Sequence, residues 1–418
     1  FNSKNRMTSK TSAAVMVGLL LLAIAPSAKA QQPVKVDKAI AIALQKNLQV
    51  QSAVLSEDAE RIRQKTSFDI AKTQLTADYG QLNTIANDTR FGITQAISFP
   101  TVYSNQKRAL QENFLSAQAS TRLTQQDVKA EVRRLYYQIL WLGEKKRLLN
   151  YADSIYTLFE KKTSLRFKVG EANILEHTTA QIHHQQIANQ RNLLQADEAI
   201  ALRQFNVLLH DSVTYIPQTD SLRMAININQ NNSTAELPQI QLYNHQAEAA
   251  RWRWKAERSR LLPDFFAGYN NQSFVGSQLL NGQEVYFGAN KRFNYVNAGV
   301  SIPIFSGAQS AKASAAKVEW QMAQKRTDMA ALQLQTDMQN TLQQLNKYAV
   351  SLNYFETQGN KNADLIIATA DKQFGGGDIN YLQWVILVDQ AISLRNEYLE
   401  TLHSYNQTAI QLQKLNNQ

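Results

Sequence analysis

Proline occurs at only seven positions in this chain, and none falls between residues 101 and 216 or between 304 and 418. These two tracts are nearly equal in length and rich in Ala, Leu, Gln, Lys and Glu, residues that favour helix. In the first, Val128, Leu135 and Leu142 alternate with Val132 and Ile139, and Leu149, Ala152, Tyr156 and Phe159 continue the rhythm. Apolar steps of three and four sustained over many turns predict coiled-coil packing. A helix from about Ser104 to Lys168 would be on the order of 95 Å long at 1.5 Å per residue, longer than an ordinary globular core accommodates.

Glycine is rare in these tracts except in one short motif that appears twice. Phe167, Gly170, Glu171, Asn173 and Leu175 correspond to Phe374, Gly377, Asp378, Asn380 and Leu382, each pair 207 residues apart. A glycine closing a long helix predicts a left-handed stop and a reversal. Each motif is therefore read as the tip of a helical hairpin.

Ahead of each long tract the periodicity changes from helical to two. Residues 74–84 alternate Leu75, Ala77 and Tyr79 with polar neighbours, and 90–99 alternate Phe91, Ile93, Ile97 and Phe99 with small ones, only Gln95 breaking the apolar face. Residues 264–274 and 294–304 repeat the pattern, and the connection between them is expected to be a longer loop than its counterpart. Strands of about ten residues with one apolar face fit a membrane β-barrel. Four strands cannot close a barrel, for which about eight is a working minimum, and an open sheet edge is not tolerated in lipid. Other copies of the chain must then complete it. The alternative is a half-buried sheet on a soluble protein.

The expected organisation is an internal tandem repeat: an N-terminal extension and signal at 1–30, a first repeat at 31–210, a polar linker at 211–236 and a second repeat at 237–418. The signal rests on the apolar run 13–25, flanked by Lys4, Arg6 and Lys10 and followed by "PSAKA". It is too short to span a bilayer as a helix but has the form of a secretory leader. Cleavage is expected after Ala30, with Met7 as a candidate start.

The chain has no cysteine, which excludes disulfides, thiolate catalysis and a lipidated N-terminal Cys. Its formal charge of +10 raises nucleic acid as a partner, but an exported protein rarely meets it. The Arg–Trp stretch at 251–260 is instead read as a membrane-interface segment. No hydrolase, metalloprotease or phosphate-loop signature is present, so neither an enzyme nor a cofactor is expected. His177, His183 and His184 fall on one predicted helix, His177 and His184 on one face, yet no carboxylate is spaced along the sequence to complete a metal site.

Residues "ITQAISFPTVYSNQKRA" (93–109), "VSIPIFSGAQSAKASAA" (300–316) and the two tip motifs, in this order, resemble the TolC-type outer-membrane efflux channels over essentially the whole chain from about residue 36. The Phe99–Pro100 pair is closer to the cobalt–zinc–cadmium heavy-metal branch than to the multidrug branch. The resemblance implies a mainly α fold with a small membrane β part: a homotrimer whose twelve strands form a barrel in the outer-membrane lipid and whose helices form a periplasmic tunnel. It implies that Phe167, Gly170, Leu175, Phe374, Gly377 and Leu382 contact a periplasmic adaptor, and through it an inner-membrane pump of the proton-driven resistance-nodulation-division class. It further places Glu176 and Gln383 at the closed constriction; an acidic cation ring there is doubtful, since Gln383 and Ile386 stand where multidrug relatives carry acids. Tyr79, Phe99, Trp252, Trp254, Phe265, Tyr269 and Tyr295 are expected in the interfacial belts. The exported substrate, heavy-metal cations or drugs, stays open. So does a second class of function, a structural or adhesive coiled-coil surface protein.

Overall fold

The computed structural model describes residues 31–218, 221–226 and 236–417. The expected signal at 1–30, with Met7 and the cleavage point after Ala30, lies outside the described residues, as does 227–235 of the expected linker. In chain order the elements are β1 (Gln32–Val34), α1 (Val36–Lys46), α2 (Leu48–Arg63), a 3-10 turn (Gln64–Phe68), β2 (Gln74–Gly80), β3 (Asp88–Ile97), α3 (Pro100–Lys168) and α4 (Ile174–Leu209). Then come β4 (Tyr215–Pro217), α5 (Pro238–Ser259), β5 (Asp264–Ser273), β6 (Gly276–Leu280), β7 (Gln283–Phe287), β8 (Arg292–Ser301), α6 (Gly307–Tyr354), α7 (Asn360–Gly376) and α8 (Tyr381–Leu415).

The first proline-free tract begins with one continuous helix. Pro100 opens α3 at its first position, where the missing amide would have had no partner, and the helix then runs for 69 residues. The heptad positions Val128, Val132, Leu135, Ile139, Leu142, Leu149, Ala152, Tyr156 and Phe159 are all buried. They pack in turn against α1 and α4, then against α7 and α8 nearer the tips. The second tract is broken where the first is not: a π turn at Phe355–Gly359 separates α6 from α7. Such a turn inserts a residue into the ladder and shifts the phase of the helix. Gly359 leaves room for it, because a Cβ there would lie 2.9 Å from Cδ1 of Phe355.

The described parts of the stretch after the first repeat are held by the protein around them. β4 pairs in parallel with β1. Met224 is buried among Leu345, Leu352, Leu402 and Tyr405, and its amide donates to Asn406 Oδ1 at 2.9 Å. Tyr136 Oη, pushed up to about 12 chiefly by burial, stays protonated and donates to the Val34 carbonyl at 3.2 Å.

The remaining strands form one antiparallel sheet in the order β2-β3-β5-β8. β3 pairs with β5, Ile93 opposite Tyr269 and Ile97 opposite Phe265, so the two halves of the chain meet in the sheet centre and β2 and β8 form its edges. The connection between β5 and β8, expected as a loop, contains the separate hairpin β6–β7. Asn281 and Gly282 turn it with positive φ of 51° and 81°, the pattern of a two-residue hairpin turn.

Candidate functional site

At the first tip, α3 ends and Gly170 takes a φ of 79°; at the second, α7 ends and Gly377 takes 82°. The Glu171 amide donates to the Arg166 carbonyl at 2.8 Å and the Gly170 amide to Phe167 at 3.1 Å. The Asp378 amide donates to Gln373 at 2.9 Å and the Gly377 amide to Phe374 at 3.3 Å. Both are the same Schellman closure. The next helix starts in the same way at each tip: Asn173 Oδ1 accepts from the Glu176 amide at 2.8 Å, and Asn380 Oδ1 from the Gln383 amide at 3.0 Å. The expected tip residues therefore gather into two matching turns. Asn173 and Asn380 are the caps that sequence reasoning left without a role, although Asn ahead of an apolar run is a helix-start signal.

Leu175 and Leu382 are exposed at the tips. Phe374 turns inward, tilted against Trp384 with ring centres 5.6 Å apart. Phe167 stacks on His177 at 5.1 Å. The two proposed constriction residues differ. Gln383 folds back on its own helix, its Oε1 accepting from the Asn380 amide at 2.9 Å to complete a capping box. Glu176 leaves Oε2 buried without a hydrogen-bond partner. Its charge adds to the burial that pushes the neighbouring Tyr381 hydroxyl up to about 12.

Just behind the tips an aromatic cluster joins the two hairpins. Phe159 of α3 stacks on Tyr381 at 4.2 Å and on Trp384 at 5.0 Å, and Trp384 Nε1 donates to Asp371 at 2.8 Å. Tyr156 donates to Asp389 across α3 and α8, and burial with that acceptor raises the phenol well above its usual range. His183 stacks on Tyr156 at 5.4 Å and lies 3.7 Å from Asp389. His184 sits between Glu160 and Asp153. This corrects two sequence expectations. His183 and His184 do have carboxylate partners, supplied by other helices, and the expectation that the three histidines simply make a polar face does not hold for His177, which stacks on Phe167. The two ring nitrogens of His184 point to different acids, and no group of three or more His, Cys, Asp or Glu among the described residues could hold a metal ion.

The sheet has two unlike faces. Residues directly opposite across an antiparallel ladder share a face, so the register puts Leu75, Tyr79, Phe91, Ile93, Ile97, Phe265, Tyr269, Val296 and Val300 together. All of these are exposed. Gln95, opposite Ala267, is a polar break in mid-face, its amide donating to the Ala71 carbonyl at 2.7 Å, and Asn271 opposite Phe91 and Asn294 opposite Asn271 are polar toward one end. The other face carries Thr76, Asp78, Gly92, Thr94, Gly268, Asn270, Asn297 and Gly299. The glycines make room for their cross-strand neighbours: a Cβ at Gly92 would lie 2.6 Å from Thr76 Oγ1, and one at Gly268 2.5 Å from Asn297 Oδ1.

Of the expected interfacial aromatics, Tyr79 closes the apolar face at one end of the strands and Phe265 at the other, where Phe99 stacks on it at 6.0 Å. Tyr269 lies mid-strand opposite Val296. Tyr295 lies opposite Asn270, on the other face of the sheet from Tyr269. Trp252 and Trp254 stand on α5 below the sheet, Trp254 stacked on Trp320 at 5.3 Å. Among the described residues, no helix is long and apolar enough to cross a membrane.

No protein-family profile and no curated protein matches the sequence. Solved structures do match. The chain is similar to CusC, studied for folding and transmembrane channel formation, at 16% identity and a TM-score of 0.75 over 91% of each chain. It is similar to the outer-membrane channel OprN at 14% identity and 0.76, over 91% of this chain and 89% of that one. It is likewise similar to the CmeC outer membrane channel of Campylobacter jejuni at 14% and 0.75, over 91% and 85%. The chain thus shares the fold of these outer-membrane channels, and near-equal scores do not separate one of them from another.

Proposed function

We propose that the protein is the outer-membrane exit duct of a tripartite efflux system. It passively conducts substrate from a periplasmic adaptor and an inner-membrane pump of the resistance-nodulation-division class to the outside. The observation that carries this reading is the open four-stranded sheet with an exposed apolar face and an opposite face of mostly small and polar residues, among which stand Phe266, Phe293 and Tyr295. Such a sheet is stable in lipid only when closed, and three copies would give twelve strands around a lumen lined by the polar face. The sequence's resemblance to the TolC-type channels implies three rather than two.

The helices support the same assembly. Leu48, Leu55 and Ile62 on α2, and Leu193, Ile200 and Val207 on α4, are exposed at spacings of seven. Each row is a coiled-coil seam that neighbouring protomers would cover. The two matching tips support the tandem-repeat reading. They would present six turns to the adaptor, with Leu175 and Leu382 outermost and Phe167, Phe374, Gly170 and Gly377 shaping them. In the closed duct Glu176 and Gln383 line the constriction. Heavy-metal cations are the substrate class the sequence resemblance favours, with drugs as the other. A purely adhesive coiled-coil protein would have no use for Gly92, Gly268 and Gly299 on one sheet face.

The test is purification from outer membranes in detergent, followed by native mass measurement and planar-bilayer conductance. A trimer with channel activity is expected. A monodisperse monomer that needs no detergent, or a trimer that never conducts, refutes the proposal.

A further inference from the structure

The chain's positive charge is not spread evenly. Beneath the sheet, the first turns of α3 carry Lys107 and Arg108, the last turns of α5 carry Arg251, Arg253, Lys255 and Arg258, and Arg260 follows as its C-cap. The acids close by are already engaged. Glu112 pairs with His245 at 2.7 Å, Glu248 with Arg251 at 3.2 Å and Glu257 with Arg260 at 3.2 Å. Arg253 donates to Asn113 at 2.7 Å. Among the described residues, Arg108 and Lys255 form no ion pair.

These two cations converge on one indole. The Arg108 guanidinium lies 4.4 Å from the Trp252 ring centre, the Lys255 ammonium 4.0 Å and the Arg251 guanidinium 5.6 Å. A ring quadrupole attracts each cation, but it does not cancel their mutual repulsion. Burial, then Arg251 and Arg108, hold the Lys255 ammonium below its ordinary range. An anion placed between the three would reverse the last two effects and bring donors from two helices onto one group.

The position selects the source of that anion. Trp252 lies seven residues before the end of α5 at Ser259, and Arg108 eight residues after the start of α3 at Pro100. At 1.5 Å per residue both sit on the order of 10 Å below the sheet. The exposed apolar residues Leu262, Ile302, Ile304 and Phe305 lie between. The headgroup layer adds about 5–8 Å beyond each side of the hydrocarbon, and long basic side chains reach toward it. We propose that Arg108, Arg251 and Lys255, arranged around Trp252, form a binding site for the phosphate of an anionic phospholipid in the periplasmic leaflet. The site would key the depth and rotation of the duct in the membrane. This rests on the proposed placement of the sheet in the outer membrane.

The test uses the full-length purified protein in detergent and the double variant Arg108→Gln/Lys255→Gln, chosen because neither side chain leaves an acid unpaired. Tryptophan quenching is titrated with brominated phosphatidylglycerol and with brominated phosphatidylethanolamine, with and without inorganic phosphate. The wild type is expected to prefer phosphatidylglycerol about tenfold or more, and the variant to lose that preference while keeping its quenching by phosphatidylethanolamine. Equal response to both lipids, or a preference that survives the double substitution, overturns the site. So does a preference abolished by millimolar phosphate, which would mark a free-anion site. Bilayer conductance of the same samples separates the two readings. A protein that conducts without headgroup preference refutes this inference alone, whereas one that neither inserts nor conducts refutes the duct.

Discussion

The tripeptide Gly375–Gly376–Gly377 offers adjacent positions where one methyl group should act with opposite sign. Gly375 lies within α7, and a Cβ there meets nothing within 4 Å. Alanine removes unfolded-state freedom without a steric cost, which stabilises a helix by about 0.5–1 kcal/mol. A Cβ at Gly377 also meets nothing, but its φ is 82°. The cost there is purely that of a left-handed backbone, about 1–2 kcal/mol for a residue with a side chain. The two variants should therefore differ by about 1.5–3 kcal/mol although they are two residues apart. The tip is remote from the rest of the protein, so global melting is a poor reporter. Hydrogen exchange followed by mass spectrometry over residues 370–385 reads local opening directly. Gly377→Ala should speed exchange of the Gly377 and Asp378 amides by roughly 5- to 30-fold, the factor that one or two kcal/mol gives. Gly375→Ala should slow the last turn of α7 by about two- to fivefold. The same pair at the first tip has no helical glycine, so only Gly170→Ala applies, with the sign of Gly377→Ala. Acceleration by both variants at the second tip, or no effect at Gly377, would refute the claim that the left-handed closure holds the turn.

Three further outcomes are expected. Gly299→Ala drives a Cβ into the Phe266 ring on the polar sheet face and should lower the denaturation midpoint of the assembled protein by about 1–3 kcal/mol equivalent. Phe266→Leu should recover most of that in a double-mutant cycle. Trp384→Phe keeps the stack on Phe159 but removes the Nε1–H donated to Asp371, which should loosen the second tip by about 1 kcal/mol in the same exchange assay. Asp211 is held down to about 2, first by the Lys46 hydrogen bond and then by Tyr215 and the Ser212 amide. A carboxyl whose folded value is depressed stabilises above its unfolded value near 4 and loses that contribution as pH falls toward about 2. Exchange of the β1–β4 amides should therefore accelerate across that window, and Lys46→Met should shift the window upward.

Some of this was legible in the residues and some was not, for physical reasons. The α3 core positions were readable because a heptad is a statement about one helix face. The tip turns were readable because a left-handed position narrows the choice nearly to glycine. The β6–β7 hairpin was missed although Asn281–Gly282 is a turn signal, because its strands are short and carry no steady alternation. The π turn at Phe355–Gly359 was missed because an extra residue in a helix leaves the composition unchanged and only shifts the phase. The acids beside His183 and His184 were out of reach in principle. Asp153 and Glu160 lie on the facing arm of the hairpin, across the tip from His184, and Asp389 lies in the other half of the chain, so only tertiary contact brings them together.

The two kinds of heptad in this chain carry one further lesson. Val128, Val132, Leu135 and Ile139 are buried within the protomer, at 6% exposure or less. Leu193, Ile200 and Val207 recur with the same period, yet they are 60%, 55% and 71% exposed. In sequence the rows are alike, since periodicity reports that a face will be covered and not which chain will cover it. The distinction appears only when the protomer's own contacts are counted and a row is left over. Here leftover rows lie on α2 and α4, and leftover strand edges lie at β2 and β8. Helical seams and sheet edges are unsatisfied for different reasons, one apolar and the other hydrogen-bonding. A lone adhesive rod would leave only the first kind. That both kinds are found in one protomer is what a closed ring of copies would satisfy, and it is why the duct is preferred to the rod.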